Sequence, residues 1–229
     1  VSNYDLKLMQ LNRYPLRVDS VDTFVVNFGL VDNPLSMHYY SEALPSKKKN
    51  ISSDHVRSTV KILENNPDIS LVEITGTSPE THPEFKYFIK TVSGLGKKLA
   101  VVTNPASFAD AVMDPLISLL ADNKVKILAF VPHYDRDEVD RLTGQGTFDK
   151  TVAAFKKLND AGYSQENTDI TTAMVYFPPR PELAGDRVKL ADAYRNSYIK
   201  EQGLRFNHFI VFNTIPIGKF ENSQYMSDL

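Results

Sequence analysis

Apolar, β-branched and aromatic residues gather in six short runs along the chain: TFVVNFGL (23–30), SLVEITG (70–76), KLAVVTN (98–104), VKILAFV (125–131), ITTAMVYF (170–177) and NHFIVFN (207–213). Each has the length and composition of a buried strand. Between them the period changes to that of a helix. Phe85, Phe88, Ile89, Val92 and Leu95 fall on one helical face after Pro83, and Gly94 and Gly96 suit its end. Phe148, Val152, Phe155 and Leu158 repeat the pattern after the turn at Gly144 and Gly146, with Thr147 as the expected N-cap. Ser52 or Ser53 caps a predicted helix running to about Asn65, and 105–121 and 184–202 supply two more, the last stopped by Gly203.

Strands alternating with helices in this way imply right-handed crossovers and a parallel sheet. Six such units build a barrel or an open doubly wound sheet, and spacing alone does not choose between them. The chain is read as one α/β domain over 1–229, with an N-terminal extension over about 1–20 and a C-terminal segment over about 214–229. The run Lys47, Lys48 and Lys49 reads as solvated loop.

Composition narrows the function classes. With 229 residues, 42% hydrophobic and 24% charged, the chain can bury a full core. Its formal net charge of −2 gives no general attraction to phosphate backbones or anionic lipid, so nucleic acid is not an expected partner. The apolar runs fall far short of the ~20 residues of a membrane-spanning helix. Residue 1 is Val and no basic-then-apolar leader follows, which reads as a processed form or a piece of a longer chain. If processed, an organelle such as a plastid or mitochondrion is one expected compartment. The absence of any cysteine excludes disulfides, thiol nucleophiles, thiolate-bound zinc and thiolate-held iron–sulfur clusters.

Ligands of parallel α/β folds bind beyond the carboxyl ends of the strands, so chemistry is sought in the loops that follow them. Those loops read VDNPLSMHYYSEA (31–43), TGTSPETHPEF (75–85), TNPASF (103–108), PHYDRDEVDRLTGQGTF (132–148), YFPPRPE (176–182) and NTIPIGKF (213–220). None carries a phosphate-binding, nucleophile-elbow or dinucleotide fingerprint.

Taken together, these phrases resemble the radical SAM proteins with a Cys-rich C-terminal extension, of the arsenosugar-biosynthesis type. The family phrase NLGLxCNxxCxHCHV resembles Asn27, Phe28, Gly29 and Leu30 followed by 31–40. DITGGAPE resembles Glu73, Ile74, Thr75, Gly76, Thr77, Ser78, Pro79 and Glu80. Leu158, Asn159, Gly162 and Tyr163 are similar to LNxxGYG, Val175, Tyr176 and Pro178 to LVYNP, and Asn213, Pro216, Ile217, Gly218, Lys219 and Phe220 to NxPIGRF. The segment around Ala129 to Tyr134, with Gly144, Gly146 and Phe148, resembles ASLPCY…RGxGVF. The resemblance implies a six-unit partial (β/α)6 barrel of radical SAM type, with parallel strands and outer helices.

The departures from the family set the functional expectation. Such enzymes hold a [4Fe–4S] cluster on three thiolates at C-x3-C-x2-C. The resemblance places Asp32, Ser36 and Tyr39 at those positions, and a carboxylate, a hydroxyl and a phenol are poor ligands for such a cluster. In the cosubstrate turn Gly76, Thr77, Ser78, Thr77 replaces the second glycine and brings a Cβ toward the bound methionyl group. His133 and Phe177 stand where the family has Cys and Asn. No cofactor, metal or catalytic residue is therefore expected. Met37, His38, Tyr39 and Tyr40 are expected to fill or cover the former cluster cavity, with Tyr39 over the ends of the first two strands near Thr77. Glu73 and Glu80 read either as remnants of the cosubstrate pocket or as carboxylates beside the next helix N-terminus. A rival reading joins Asp32, Ser36, His38, His82 and His133 in a metal or acid/base site.

The expectation is a non-catalytic pseudoenzyme serving as a structural or accessory subunit, with other protein subunits as partners. The stretch through Asp19 and the segment after Pro216 are the expected contacts, anchored by Tyr4, Tyr14, Phe220 and Tyr225. The alternative is a cluster-free enzyme or small-molecule binder, S-adenosylmethionine included, that uses the altered mouth.

Overall fold

The computed structural model describes residues 3–15, 17, 19–29, 50–76, 78–178 and 184–212. Six strands form where the apolar runs predict them: β1 (Thr23–Asn27), β2 (Leu71–Thr75), β3 (Lys98–Thr103), β4 (Lys126–Phe130), β5 (Thr172–Tyr176) and β6 (His208–Val211). All neighbours are parallel, and the spatial order is β1-β2-β3-β4-β5-β6. That order settles the choice the spacing left open. A doubly wound sheet reverses its strand order part-way, whereas here every crossover steps in one direction. Crossovers of one hand then put the helices on one face and leave the other concave, as in an incomplete barrel.

Burial follows this division. Val26, Val72, Ile74, Val101 and Ile127 face the helices and are buried. On the opposite face Val25 is 58% exposed, and it stands in register with the half-buried Glu73.

The helices arise from local signals. Helix α1 (Asn3–Gln10) buries none of its residues. Helix α2 (Ser53–Asn65) is capped by Ser52, whose Oγ accepts the His55 N–H at 3.2 Å, and it buries Val56, Thr59, Val60 and Leu63 on one stripe. Helix α3 (Phe85–Gly94) buries Phe85, Phe88, Ile89 and Val92. Each fully buried side chain of this size contributes about 1.5–3 kcal/mol.

The predicted helix over 105–121 is instead three pieces: 3-10 turns at Pro105–Ala109 and Ala111–Met113, then α4 (Asp114–Asp122). The cause is side-chain capping inside the segment. Asn104 Oδ1 accepts the Ala106 N–H at 3.1 Å and Asp110 Oδ1 accepts the Val112 N–H at 3.0 Å, so the chain restarts twice.

Helix α5 (Arg136–Thr143) lies within a stretch read as loop. Asp135 caps it, accepting the Glu138 N–H at 3.1 Å. Helix α6 (Thr147–Asp160) does not take Thr147 as its N-cap, because Gly146 holds that place at φ +80°. Asp140 of α5 serves the open N–H groups, with Oδ2 accepting from Gly146 at 2.8 Å and Oδ1 from Phe148 at 2.9 Å. The Thr147 hydroxyl donates to the Gly144 carbonyl at 2.7 Å.

The helix predicted over 184–202 begins later, as α7 (Arg187–Tyr194) capped by Asp186, and turns π-helical over Arg195–Glu201. Gly203, at φ +71°, follows its end. No helix among the described residues is long and apolar enough to cross a membrane.

Candidate functional site at the carboxyl ends of the strands

At the first two strand ends, two backbones cross in close contact. The Phe28 N–H donates to the Thr75 carbonyl at 2.9 Å, and the Ile51 N–H donates to the Phe28 carbonyl at 3.2 Å. Phe28 is buried and meets His82, Phe85 and Phe88 edge-on, at centroid distances of 5.3, 6.0 and 5.2 Å. Both glycines at the crossing answer to space. A Cβ on Gly76, at φ +133°, would stand 3.1 Å from the Gly29 carbonyl oxygen, and one on Gly29 would collide with Oδ1 of Asn50. Gly76 therefore has a structural reason of its own. Ser78 opens the following 3-10 turn, Pro79–Thr81.

Glu80 lies in that turn, only 6% exposed. It is not an open mouth carboxylate: its Oε2 accepts from the Thr103 hydroxyl at 2.7 Å, at the end of β3. Its Oε1 is buried with no hydrogen bond. Burial pushes the carboxyl above its ordinary range, against smaller opposing pulls from the Ser107 hydroxyl, its own backbone and the Thr103 hydroxyl. Glu73 occupies the concave face of β2, away from Glu80.

Beyond β4, three hydroxyls hold the loop. Tyr194 donates to the Val131 carbonyl at 2.8 Å, Tyr198 to that of His133 at 3.0 Å and Ser197 to that of Tyr134 at 2.6 Å. Burial pushes the Tyr194 and Tyr198 phenols up, so both remain protonated donors. The π-helical turn brings Ser197 and Tyr198 alongside consecutive carbonyls of this loop. Sequence reading missed the brace; its signal is a pair of tyrosines four residues apart in a helical stretch.

His82 and His133 are both engaged in the fold. His82 Nε2 lies 2.9 Å from the Ile51 carbonyl oxygen and its Nδ1 accepts the Glu84 N–H at 3.1 Å, which leaves no ring nitrogen for a metal. His133 stacks on Tyr134 at 4.2 Å, and its Nδ1 accepts the Asp135 N–H at 3.0 Å. Burial lowers its pKa, partly offset by Glu138 and Asp135. Among the described residues no group of three His, Asp or Glu side chains could hold a metal ion. Asp32, Ser36, Met37, His38, Tyr39, Tyr40 and Thr77 lie outside the described residues.

The LNxxGYG-like phrase is also structural. Asn159 Nδ2 donates to the carbonyls of Tyr163 (3.2 Å) and Arg205 (3.0 Å), while its Oδ1 accepts the Arg205 N–H at 2.9 Å. Tyr163 donates to the Val125 carbonyl at 2.9 Å beneath β4. These residues set the approach to β4 and β6 rather than the mouth.

The Radical SAM superfamily model matches residues 37–183, more than half of the chain. The chain belongs to that superfamily. Solved structures agree on the fold. SuiB from Streptococcus suis superposes with a TM-score of 0.59 at 16% identity, over 90% of this chain and 42% of its own. HydG, a maturase of the [FeFe]-hydrogenase, gives 0.57 at 16% identity, over 98% and 51%. Methylornithine synthase gives 0.54 at 11% identity, over 83% and 52%. The chain thus spans about half the length of these proteins. No curated protein matches it. The six-stranded sheet is accordingly a partial radical SAM (β/α) barrel. A cluster held on thiolates does not fit this donor set, since the sequence contains no cysteine.

Proposed function

We propose that this radical SAM-fold chain has lost cluster chemistry and serves as a structural or accessory subunit of a larger protein assembly. One observation carries the reading: a superfamily defined by thiolate-held iron has here a sequence without cysteine. Asp32, Ser36 and Tyr39 stand at the degenerate cluster positions, and the turn Gly76, Thr77, Ser78 is the degenerate cosubstrate turn. The finer likeness, to the arsenosugar-biosynthesis type, rests on the loop phrases of the sequence. Two features of the fold support a binding rather than a chemical role. The strand-end loops are braced by Glu80, Thr103, Tyr194, Ser197 and Tyr198, so polar groups are spent on the frame. Helix α1 also leaves apolar side chains in solvent, with Tyr4 65%, Leu6 48% and Met9 42% exposed, as suits a protein contact.

The test is sizing of native material under gentle extraction, with capture through a tag and identification of what co-purifies in fixed proportion. The expected outcome is a defined assembly well above the mass of one chain. A lone chain, with every large assembly of the cell unchanged by deletion of the gene, would overturn the reading in favour of a small-molecule binder.

A further inference from the structure

The strand order ends at β6, which among the described residues has a neighbour strand on one side only. Phe209 of β6 meets Tyr194 of α7 with ring centroids 4.5 Å apart, so α7 packs against a face of this strand. Between them lies a cavity of about 460 Å³, lined in part by Lys126, Arg187, Arg195, Asn207, His208 and Ile210. No carboxylate stands among the described lining residues, although the chain as a whole carries a net charge of −2. The cations are available. Arg195 has a 3.3 Å contact with Asp192, but both side chains are more than half exposed, and such pairs hold weakly. Asn207 has its Oδ1 taken by the Ser164 hydroxyl at 2.7 Å and the Thr172 N–H at 3.1 Å, which leaves the amide NH2 as the end able to donate.

Spacing indicates the shape of the occupant. Arg187, Ala191 and Arg195 are four residues apart and line the same cavity. Eight residues of helix put the two guanidinium-bearing positions about 12 Å apart along the axis. That is too far for both to grip one phosphate. It matches about four residues of extended chain at ~3.3 Å each, and residues i and i+4 of a strand share one face.

We propose that the free edge of β6 docks an extended acidic segment of a partner protein, which adds as a seventh strand and sets carboxylates four residues apart against Arg187 and Arg195. Main-chain hydrogen bonds to the strand edge supply the attachment and the charge pairs set the register. His208 of β6 lines the same cavity, while Lys126 on β4 and Asn207, bonded to Thr172 of β5, line its inner part away from the free edge. This inference rests on the accessory-subunit reading and names the surface that reading leaves unspecified.

The probe is an acetylated and amidated nonapeptide of alternating valine and threonine, with glutamate at two positions four residues apart, titrated calorimetrically into the full chain at low salt. Binding is expected, weakening about tenfold or more in the Arg187→Glu, Arg195→Glu double variant and falling with added salt. Circular dichroism and a thermal melt establish that the variant is folded. A second peptide with the same charges, N-methylated at alternate residues on each edge in turn, is expected to lose binding for the methylation pattern that faces β6. Any of three results would overturn the proposal: no binding of the first peptide, equal binding of both methylated forms, or inorganic pyrophosphate binding as tightly as the peptide with the same arginine dependence. Sizing of native material separates this from the broader reading. An assembly that survives the double variant intact would leave the subunit role standing and remove β6 as its docking edge.

Discussion

Gly76 and Glu80 lie four residues apart and answer to different physics. Gly76 is held by space: its φ of +133° and the Gly29 backbone behind it forbid a side chain. Gly76→Ala is expected to destabilise the fold by about 1–3 kcal/mol, read from denaturant midpoints, and an unchanged midpoint would show that the crossing of the first two strand ends is looser than described. Glu80 is held by dielectric. Burial favours its neutral form, so the folded chain binds that proton more tightly than the unfolded chain does. Its contribution to stability is full below the unfolded value of about 4.3 and is lost as pH rises through the raised folded value. Glu80→Gln keeps an oxygen for the Thr103 hydroxyl and cannot ionise. It should raise the melting temperature by a few degrees near about pH 8 and change little near about pH 4. A variant that melts lower at the higher pH would mean that the ionised carboxylate is the form the fold uses. Both residues were legible as belonging to one loop phrase, yet their causes were not, since neither a crossing backbone nor burial is written in local sequence.

At the scale of elements, the six strands were legible because each packs a run of β-branched and aromatic residues into five or so positions. Helices fared unevenly. The stripes of α2, α3 and α6 carry enough apolar residues to show their period, whereas α5 buries few residues, Val139 and Leu142 among them, within a charged segment and so read as loop. The break-up of 105–121 turns on which Asn and Asp side chains bend back to the backbone. That depends on packing around the segment rather than on its periodicity. The start of α6 is the sharpest case: a helix expected to be capped by its own Thr147 is capped by Asp140 of the preceding helix. Asp140→Ala should therefore cost about 1–2 kcal/mol, as the loss of a cap does, and Thr147→Ala distinctly less. Equal costs in thermal or denaturant unfolding would return Thr147 to the capping role. The tyrosine brace gives a parallel expectation, with Tyr198→Phe losing about 1 kcal/mol through its bond to the His133 carbonyl.

For the whole molecule, strand spacing permitted two architectures, and only the order of pairing, β1 through β6 without reversal, chose the partial barrel. Sequence periodicity cannot carry that information, because a singly wound and a doubly wound sheet present the same alternation of strand and helix. The resemblance of the loop phrases pointed to the barrel for a different reason: those around Gly76 and His133 follow the carboxyl ends of β2 and β4, where a barrel gathers its loops at one mouth, whereas Asn159 and Tyr163 lie at the approach to the strands. The same placement frames the chemical prediction. In a radical SAM barrel the cluster loop follows the first strand; we propose that its ligand positions fall here on Asp32, Ser36 and Tyr39, and the sequence holds no cysteine to replace them. Oxygen donors bind iron but do not supply the soft thiolate field that holds a four-iron cluster. Anaerobic incubation with ferrous iron and sulfide, followed by desalting, is expected to leave the protein colourless, with iron and sulfide far below stoichiometric amounts. Addition of S-adenosylmethionine and a strong reductant should then release no 5′-deoxyadenosine above a protein-free control. A brown protein that retains about four irons and four sulfides per chain would show that this barrel holds a cluster without thiolates, and the proposal that its chemistry is lost would fall with it.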